Sequence, residues 1–171
     1  CVCVMALQRY IPPLNFGWVE EDVCRSGQPS EHSFPFLEKL ELKKILYLAP
    51  DEPSNALQNF VEDQEVELEH LGMSQGGSNP WGPITEQLVL ASLQQILDTS
   101  NYPLLICCNL GRHRTGTVVG CLRKLQRWNL TSILEEYRRN AGSKGRLENE
   151  QFIELFDTDL VRMPEDPPRW L

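Results

Sequence analysis

Short apolar runs alternate with helical patterns along most of the chain. Three runs are β-prone: KILYL at 44–48, EVELEHL at 65–71 and PLLICC at 103–108. Helical apolar spacing is found from Ser33 through Leu40, and over 54–63, 84–99, 112–128, 131–140 and 147–158. This alternation predicts an α/β fold in which a central, mainly parallel sheet is flanked by helices on both faces.

Two other stretches carry turn formers. FGWVEEDVCR, within residues 11–30, predicts a short hairpin or a pair of edge strands. Residues 72–83 are rich in Gly, Ser, Asn and Pro and predict a loop, which at this length is typical of a binding or lid element. Trp81 in this loop either covers a site or anchors the loop. We expect one domain over residues 1–171, with a core at about 11–160 and an irregular tail at 161–171.

Composition narrows the class of protein. The chain of 171 residues has the length of one domain, and its 41% hydrophobic and 23% charged residues are typical of globular proteins. No apolar run approaches the roughly 18 residues that a membrane span needs. The net charge of −8 argues against a general binder of nucleic acid or acidic membranes.

The charge is unevenly distributed. Residues 107–146 carry nine Lys or Arg against two acidic residues, a balance of +7 that leaves −15 for the rest of the chain. A solvated helix face would explain part of this basic segment. An anionic ligand is the more specific explanation.

The cysteines and histidines predict neither disulfides nor a metal. Six cysteines at uneven spacing do not form a disulfide framework, so we expect reduced thiols and a cytoplasmic protein. Because the chain begins at Cys1 rather than Met, we expect that a preceding segment is missing. His32, His70 and His113 have no ligand spacing with the cysteines, so neither a metal nor a cofactor is expected.

The stretch CCNLGRHRTG, residues 107–116, carries the candidate chemistry. Cys108 and Arg114 are spaced as C-x5-R, but Cys3 with Arg9 and Cys121 with Arg127 have the same spacing. Only Cys108 follows a predicted strand, precedes a loop glycine and leads into a predicted helix. Context therefore distinguishes this pair from the other two.

A strand, a tight loop and a helix N-terminus suit an oxyanion. Backbone N–H groups in such a loop converge on an anion, and the helix dipole adds positive potential. A cysteine thiol there is stabilised as the thiolate and can attack phosphorus. Arg114 supplies a planar fork for two phosphoryl oxygens, and Thr115 could donate to the sulfur of Cys108 as it leaves or simply pack at the helix start.

CCNLGRHRTG, with RSGQPS upstream and EYRRNAGSKGR downstream, resembles the cysteine-dependent phosphatases. It is most similar to the plant and fungal atypical dual-specificity phosphatase family, and within it to the fungal oxidant-induced cell-cycle-arrest branch. The resemblance extends from about IPPLNFG to FIELFD. It implies a compact phosphatase domain and a phosphorylated substrate.

The resemblance also assigns residues. It implies that Cys108 is the nucleophile and Arg114 the phosphate-binding arginine. The phosphate-binding set that it implies is Asn109, Leu110, Gly111, Arg112, His113, Arg25 and Lys144. Arg138, Arg139 and Arg146 would line or approach the same anion site. For each cation, an ordinary surface charge is the alternative.

Two positions depart from the family pattern. Most such phosphatases have a histidine directly before the nucleophile, where this chain has Cys107. That thiol either faces the core or condenses with an oxidised Cys108. Leu110 stands where relatives that attack highly phosphorylated inositols tend to carry a basic residue.

The general acid is not evident. Expelling a phenolate normally requires a proton donor, but residues 72–83 contain no Asp or Glu. Asp51 and Glu52, which follow the strand 44–48, are the candidates, with turn formation before Pro53 as the alternative. If no acid is present, a phosphoanhydride is favoured, because a phosphate leaving group needs no proton.

The sequence thus predicts a phosphatase that forms a Cys108 thiophosphoryl intermediate. Its substrate class is an inositol pyrophosphate-type phosphoanhydride or a phosphotyrosine or phosphoprotein. The first alternative is a catalytically weak binding subunit that captures phosphorylated ligands, and the second is a thiol redox protein using Cys107 and Cys108. The predicted partners are an anionic phosphorylated molecule and related phosphatase-like subunits, with neither nucleic acid nor membrane.

Overall fold

Five strands form one sheet in the order β1-β2-β5-β3-β4. The computed structural model describes residues 10–74 and 82–171. The strands are β1 (Gly17–Glu20), β2 (Val23–Gly27), β3 (Lys44–Tyr47), β4 (Glu67–His70) and β5 (Leu104–Cys108). Only β1 runs antiparallel, to β2, and the other neighbours are parallel. The predicted hairpin and the mainly parallel sheet are confirmed.

Seven α-helices cover the sheet in the described part of the chain. They are α1 (Phe34–Glu38), α2 (Asn55–Asp63), α3 (Leu71–Ser74), α4 (Glu86–Leu97), α5 (Arg114–Leu125), α6 (Leu130–Ala141) and α7 (Leu147–Leu155). Short 3-10 turns lie at Glu31–Ser33, Thr99–Asn101, Gly142–Lys144 and Thr158–Leu160.

The order of the strands places helices on both faces. The connections from β2 to β3 and from β3 to β4 step in one direction, and the connection from β4 to β5 steps back. Right-handed crossovers therefore put α1 and α2 on one face and α4 on the other. Stacked rings of Phe34 and Phe60, 4.4 Å apart, join α1 to α2, while α5 packs against α4, α6 and α7.

The core lies between these helices and the sheet. Strands β3 and β5 are buried along their whole length, as parallel strands covered on both faces should be. At Gly120 a Cβ atom would lie 2.5 Å from Cδ1 of Ile153, so α5 and α7 approach closely there. The tail after Leu160 is irregular, but Trp170 and Leu171 pack on the core.

Two predicted boundaries around β4 were wrong. The strand predicted at 65–71 begins at Glu67, because Glu65 has a φ of +54° and ends a turn after α2. The loop predicted at 72–83 begins with the turn of α3, which glycine content had obscured. A Cβ on Gly72 would lie 1.9 Å from the carbonyl oxygen of Ala49, so the glycine permits close backbone packing. Residues 75–81, with Trp81, lie outside the described residues.

Helix length elsewhere follows the prediction within a few residues. For example, α5 was predicted from 112 and begins at Arg114, because the preceding residues form a loop. Within the two described ranges, every helix is too short or too polar to cross a bilayer.

Candidate active site

The carboxyl end of β5 is the centre of the candidate site. Because β5 lies between β2 and β3, the chain leaves the middle of the sheet at Cys108 and enters α5 at Arg114. The ends of two neighbouring parallel strands flank this exit, the position where open α/β sheets bind ligands.

A cavity of about 490 Å³ opens over this loop. Its lining comes from the segment after β3, the segment before α4, the end of β5, the loop between β5 and α5 with the first residue of α5, and the start of α7 with the segment before it. The lining residues are Ala49, Pro50, Asp51, Gly82, Ile84, Cys108, Asn109, Leu110, Arg112, His113, Arg114, Lys144, Arg146 and Asn149. The structure thus brings most of the predicted site residues to one cavity.

The lining is strongly cationic. Arg112, Arg114, Lys144 and Arg146 contribute positive charge, and Asp51 is the one carboxylate among the described lining residues. Four cations against one anion in a half-enclosed space favour an anionic ligand. Leu110, which is 47% exposed, contributes apolar surface to the lining.

Gly111 shapes the loop by allowing two backbones to touch. Its φ is +67°, and a Cβ atom there would lie 2.5 Å from the amide nitrogen of Gly27. Gly27 is also in close contact with the loop, since its own Cβ would lie 3.0 Å from the carbonyl carbon of Leu110. The amide of Gln28 donates to the carbonyl oxygen of Asn109 at 3.2 Å. The loop is therefore fixed against the end of β2.

We expect Gly111→Ala to lower the free energy of unfolding by about 2–6 kcal/mol, from positive-φ strain and overpacking together. Gly142 is the matched control, because its φ is +58° but nothing lies within 4 Å of its Cβ position. Gly142→Ala should cost only the strain, about 1–3 kcal/mol. Urea unfolding of both variants measures the difference, and equal costs would contradict the backbone contact.

Arg114 and Thr115 each have a buried polar atom without a hydrogen-bond partner in the described structure. Arg114 is 9% exposed, and its Nη1 donates to the carbonyl oxygen of Leu48 at 3.4 Å. Its Nη2 and the Oγ1 of Thr115 are buried without a hydrogen bond in the described structure. Burial lowers the pKa of Arg114 below its usual value. Arg114 lines the cavity, and an unpaired buried donor there is typical of a binding site for an oxyanion, whereas Thr115 is fully buried and does not line the cavity.

Arg25 lies behind the loop rather than in the cavity. The sequence predicted that it binds phosphate, but it is 2% exposed and does not line the cavity. Its Nη2 donates to the carbonyl oxygen of Gly111 at 2.7 Å. The parallel register of β2 with β5, which pairs Arg25 with Ile106, directs the side chain beneath the loop. A contact with substrate is therefore replaced by a contact with the loop.

Tyr137 of α6 joins the loop to the basic segment before α7. Its hydroxyl accepts from the Arg146 amide at 3.2 Å and from Nδ2 of Asn149 at 2.9 Å. Nδ1 of His113 lies 3.5 Å from the same oxygen, which has its own proton left to donate. Burial lowers the pKa of His113, and the charges of Arg146 and Arg112 add to this effect.

No motif in the sequence distinguishes Tyr137 or Asn149 as functional residues. The helical spacing of Ile133, Tyr137 and Ala141 indicates a buried face of α6. Spacing alone cannot show which hydrogen bonds a buried hydroxyl makes.

The two general-acid candidates have different positions. Asp51 lines the cavity, and its Oδ2 accepts from Nδ2 of Asn109 at 3.2 Å. The hydroxyl of Tyr47 lies 3.0 Å from Oδ1 of Asn109. Glu52 does not line the cavity, and its carboxylate lies 4.0 Å from Nδ1 of His70. Of the two, only Asp51 is placed to meet a ligand.

The basic residues of the segment 107–146 include some that line the cavity and others that form ion pairs away from it. Arg123 is buried in ion pairs with Glu20 at 2.5 Å and Glu136 at 2.8 Å, and its guanidinium stacks on Trp128. Arg138 pairs with Glu150 at 2.6 Å. Neither Arg138 nor Arg139 lines the cavity, and their approach to the anion site stays a prediction.

Cys107 faces the core. Successive strand residues point to opposite faces of a sheet, so the thiols of Cys107 and Cys108 diverge. Cys107 is completely buried, and burial raises its pKa well above the usual value. Both cysteines are free thiols. This arrangement does not favour the redox hypothesis.

Among the described residues, no group of three or more His, Cys, Asp or Glu could hold a metal ion.

Comparison with known proteins gives the family. Residues 10–170 match the family model described as the tyrosine phosphatase family. The chain belongs to this family. The resemblance to cysteine-dependent phosphatases is thereby confirmed, and with it the predicted enzyme class.

This chain is similar in sequence to named phosphatases of other organisms. It is 68% identical over 165 residues to the protein named probable tyrosine-protein phosphatase DG1060 of Dictyostelium discoideum, covering 96% of this chain and 98% of that protein. It is 47% identical over 169 residues to OCA1 of Saccharomyces cerevisiae, covering 96% and 71%. These matches confirm the predicted fungal branch.

The crystal structure of the core catalytic domain of the PP-IP phosphatase SIW14 from S. cerevisiae, in complex with citrate, superposes with a TM-score of 0.81. The two chains are 44% identical, and the match covers 89% of this chain and 91% of the SIW14 chain. The predicted fold is confirmed by this likeness.

Proposed function

We propose that this phosphatase hydrolyses the phosphoanhydride of an inositol pyrophosphate-type substrate through a covalent intermediate on Cys108. The thiolate attacks the terminal phosphorus, forming an S–P bond as the P–O bond of the anhydride breaks. Water then attacks the same phosphorus and breaks the S–P bond. Inorganic phosphate leaves with the water oxygen, and the thiolate is restored.

The charge of the cavity supports this proposal more than any other observation. Cys108 and Arg114 lie at its base, and Lys144 and Arg146 are exposed at its border. A single phosphoryl group needs the loop and Arg114, whereas additional cations suit a ligand with additional phosphates. SIW14, which is 44% identical, is a PP-IP phosphatase. Lys144 and Arg146 thus supply the positive charge that Leu110 lacks.

The shortage of carboxylates supports a phosphoanhydride in particular. The leaving group is then a phosphate whose second pKa is about 6, so it departs without a proton. A phosphotyrosine would require a donor for a phenolate, and Asp51 is the described carboxylate that lines the cavity. Phosphotyrosine and phosphoprotein substrates are therefore the alternative. Assembly with related phosphatase-like subunits stays a prediction.

A substrate comparison tests the proposal. We expect kcat/KM for an inositol pyrophosphate to exceed that for a phosphotyrosyl peptide by at least about tenfold. Asp51→Asn should change the anhydride reaction by less than about threefold, because general acid catalysis, worth about 10²–10⁴-fold where it operates, is not needed.

Glu52→Gln is the matched control, since this neighbouring carboxylate lies outside the cavity. Faster turnover of the phosphopeptide, with a loss of tenfold or more in Asp51→Asn and not in Glu52→Gln, would contradict the anhydride proposal. It would identify Asp51 as the acid of a phosphoester hydrolase.

A further inference from the structure

Arg25 is a buried cation whose hydrogen bonds are incomplete. Nη2 bonds to the carbonyl oxygen of Gly111, but Nε and Nη1 have no partner in the described structure. Burying a charge without full compensation is costly, and most proteins avoid it. A guanidinium that makes one hydrogen bond to a loop could be replaced by a neutral donor. Its charge therefore requires an explanation of its own.

The geometry places this charge on the side of the sheet where Cys108 points. In the parallel register of β2 and β5, Arg25 pairs with Ile106 and Gly27 pairs with Cys108. Side chains two residues apart share a face, so Arg25 and Cys108 lie on the same face of the sheet. Nη2 of Arg25 also lies 3.7 Å from the Cβ position of Gly116, in the first turn of α5.

Glu136 is the carboxylate whose charge acts on Arg25, but it already forms hydrogen bonds with Arg123. Burial lowers the pKa of Arg25 to about 10, while the charges of Glu136 and Cys108 act in the opposite direction. Glu136 accepts two hydrogen bonds from Arg123, at 2.8 and 3.2 Å. The Cys108 thiolate is then the remaining negative charge that can compensate Arg25.

We infer that Arg25 is a positioning residue whose buried positive charge stabilises the Cys108 thiolate from beneath the loop. The inference rests on the proposed function in requiring Cys108 as the nucleophile. Arg25 differs from Arg114 because substrate does not reach it. The charge of Arg25 therefore acts on the thiolate whether or not substrate is bound. The cations that line the cavity also bind the ligand.

Other groups near Cys108 remain the same when Arg25 is replaced. Tyr47, Asp51 and Cys107 do not favour ionisation of the Cys108 thiol: each opposes it when it is itself an anion and has no charge when it is protonated. The groups that favour ionisation when charged are Arg112, His113, Arg114, Lys144 and Arg146. Because this background is shared, a comparison of variants isolates the contribution of Arg25.

The test is the pH dependence of Cys108 alkylation by iodoacetamide, followed by peptide mass spectrometry. We expect Arg25→Met to move the midpoint of reactivity upward by about 1–3 pH units, the usual effect of one nearby opposite charge. The acid limb of kcat/KM should move upward in parallel, because less thiolate is present at each pH. Arg25→Lys, which keeps the charge, should recover at least half of the shift.

Lys44→Met is the matched control. Lys44 is also buried, but its ammonium group is paired with Glu67 and Glu69. This variant should lose stability without moving the alkylation midpoint. If Arg25→Met does not fold, Arg25→Gln provides the same neutral test and can still donate to the Gly111 carbonyl.

A folded neutral variant with the wild-type midpoint would overturn the inference, even if its turnover were reduced, because Arg25 would then only hold the loop. A midpoint that moves equally in Lys44→Met would also overturn it. The readout is ionisation rather than turnover. A failure of the proposed substrate or reaction would therefore be seen separately, in the activity of the wild-type enzyme.

Discussion

Cys108→Ser is expected to lower kcat by about 10⁴–10⁶-fold, the usual consequence of removing a covalent nucleophile. A serine hydroxyl is not ionised near neutral pH and does not replace a thiolate as the attacking group. Arg114, Lys144 and Arg146 remain, so the Kd for an inositol pyrophosphate should stay within a few-fold of wild type. Steady-state kinetics and isothermal titration calorimetry measure the two quantities.

Cys121→Ser is a close control for this experiment. Cys121 is also followed by an arginine six residues later, Arg127, but it is buried within α5 and away from the cavity. Its substitution should leave turnover near the wild-type value. If wild type and Cys108→Ser bind equally and neither shows turnover, the chain is a binding subunit and the catalytic proposal is wrong.

The second large effect is expected at Arg114. Arg114→Lys should reduce kcat/KM by about 10²–10³-fold, as for the loss of one preorganised donor to a developing oxyanion. Lysine keeps the charge but presents no planar fork, and Nη2 of Arg114 is the buried donor that lacks a partner in the described structure. Unlike Cys108→Ser, this variant should weaken ligand binding as well as turnover.

Arg127→Lys supplies the matched comparison, because Arg127 is exposed at the far end of α5 and does not line the cavity. It should retain wild-type kinetics. Unchanged kcat/KM in Arg114→Lys would show that a point charge is sufficient and that the fork has no role. An equal loss in Arg127→Lys would indicate a general effect on folding.

The sequence was most informative where one short segment contains the whole feature. The strand PLLICC, the glycine at 111 and the start of α5 are contiguous, so their order alone predicts a loop at a helix N-terminus. The positive φ of Gly111 was not predicted, because the order of elements does not give the backbone angles within the loop. The burial of β5 along its whole length agrees with its apolar residues.

The sequence was least informative where the role of a residue depends on a distant one. Arg114 and Arg123 both lie in α5 within the basic segment, and the sequence does not distinguish their roles. Arg123 forms an ion pair with Glu20, which is 103 residues away in the chain. The family resemblance implied that Arg25 binds phosphate, but its actual position depends on the register of β2 with β5, which is set by pairing across the sheet and cannot be read from the local sequence. The same limit concealed the contact of Tyr137 with the segment before α7.

The most direct test of the account is to trap the intermediate on Cys108. Wild-type enzyme is mixed with an inositol pyrophosphate, quenched during turnover and digested, and the peptides are analysed by mass spectrometry. We expect one added phosphoryl group, HPO₃, on the peptide carrying Cys108, and none in Cys108→Ser. Efficient turnover with no phosphorylated Cys108, or with the phosphoryl group on another residue, would contradict it.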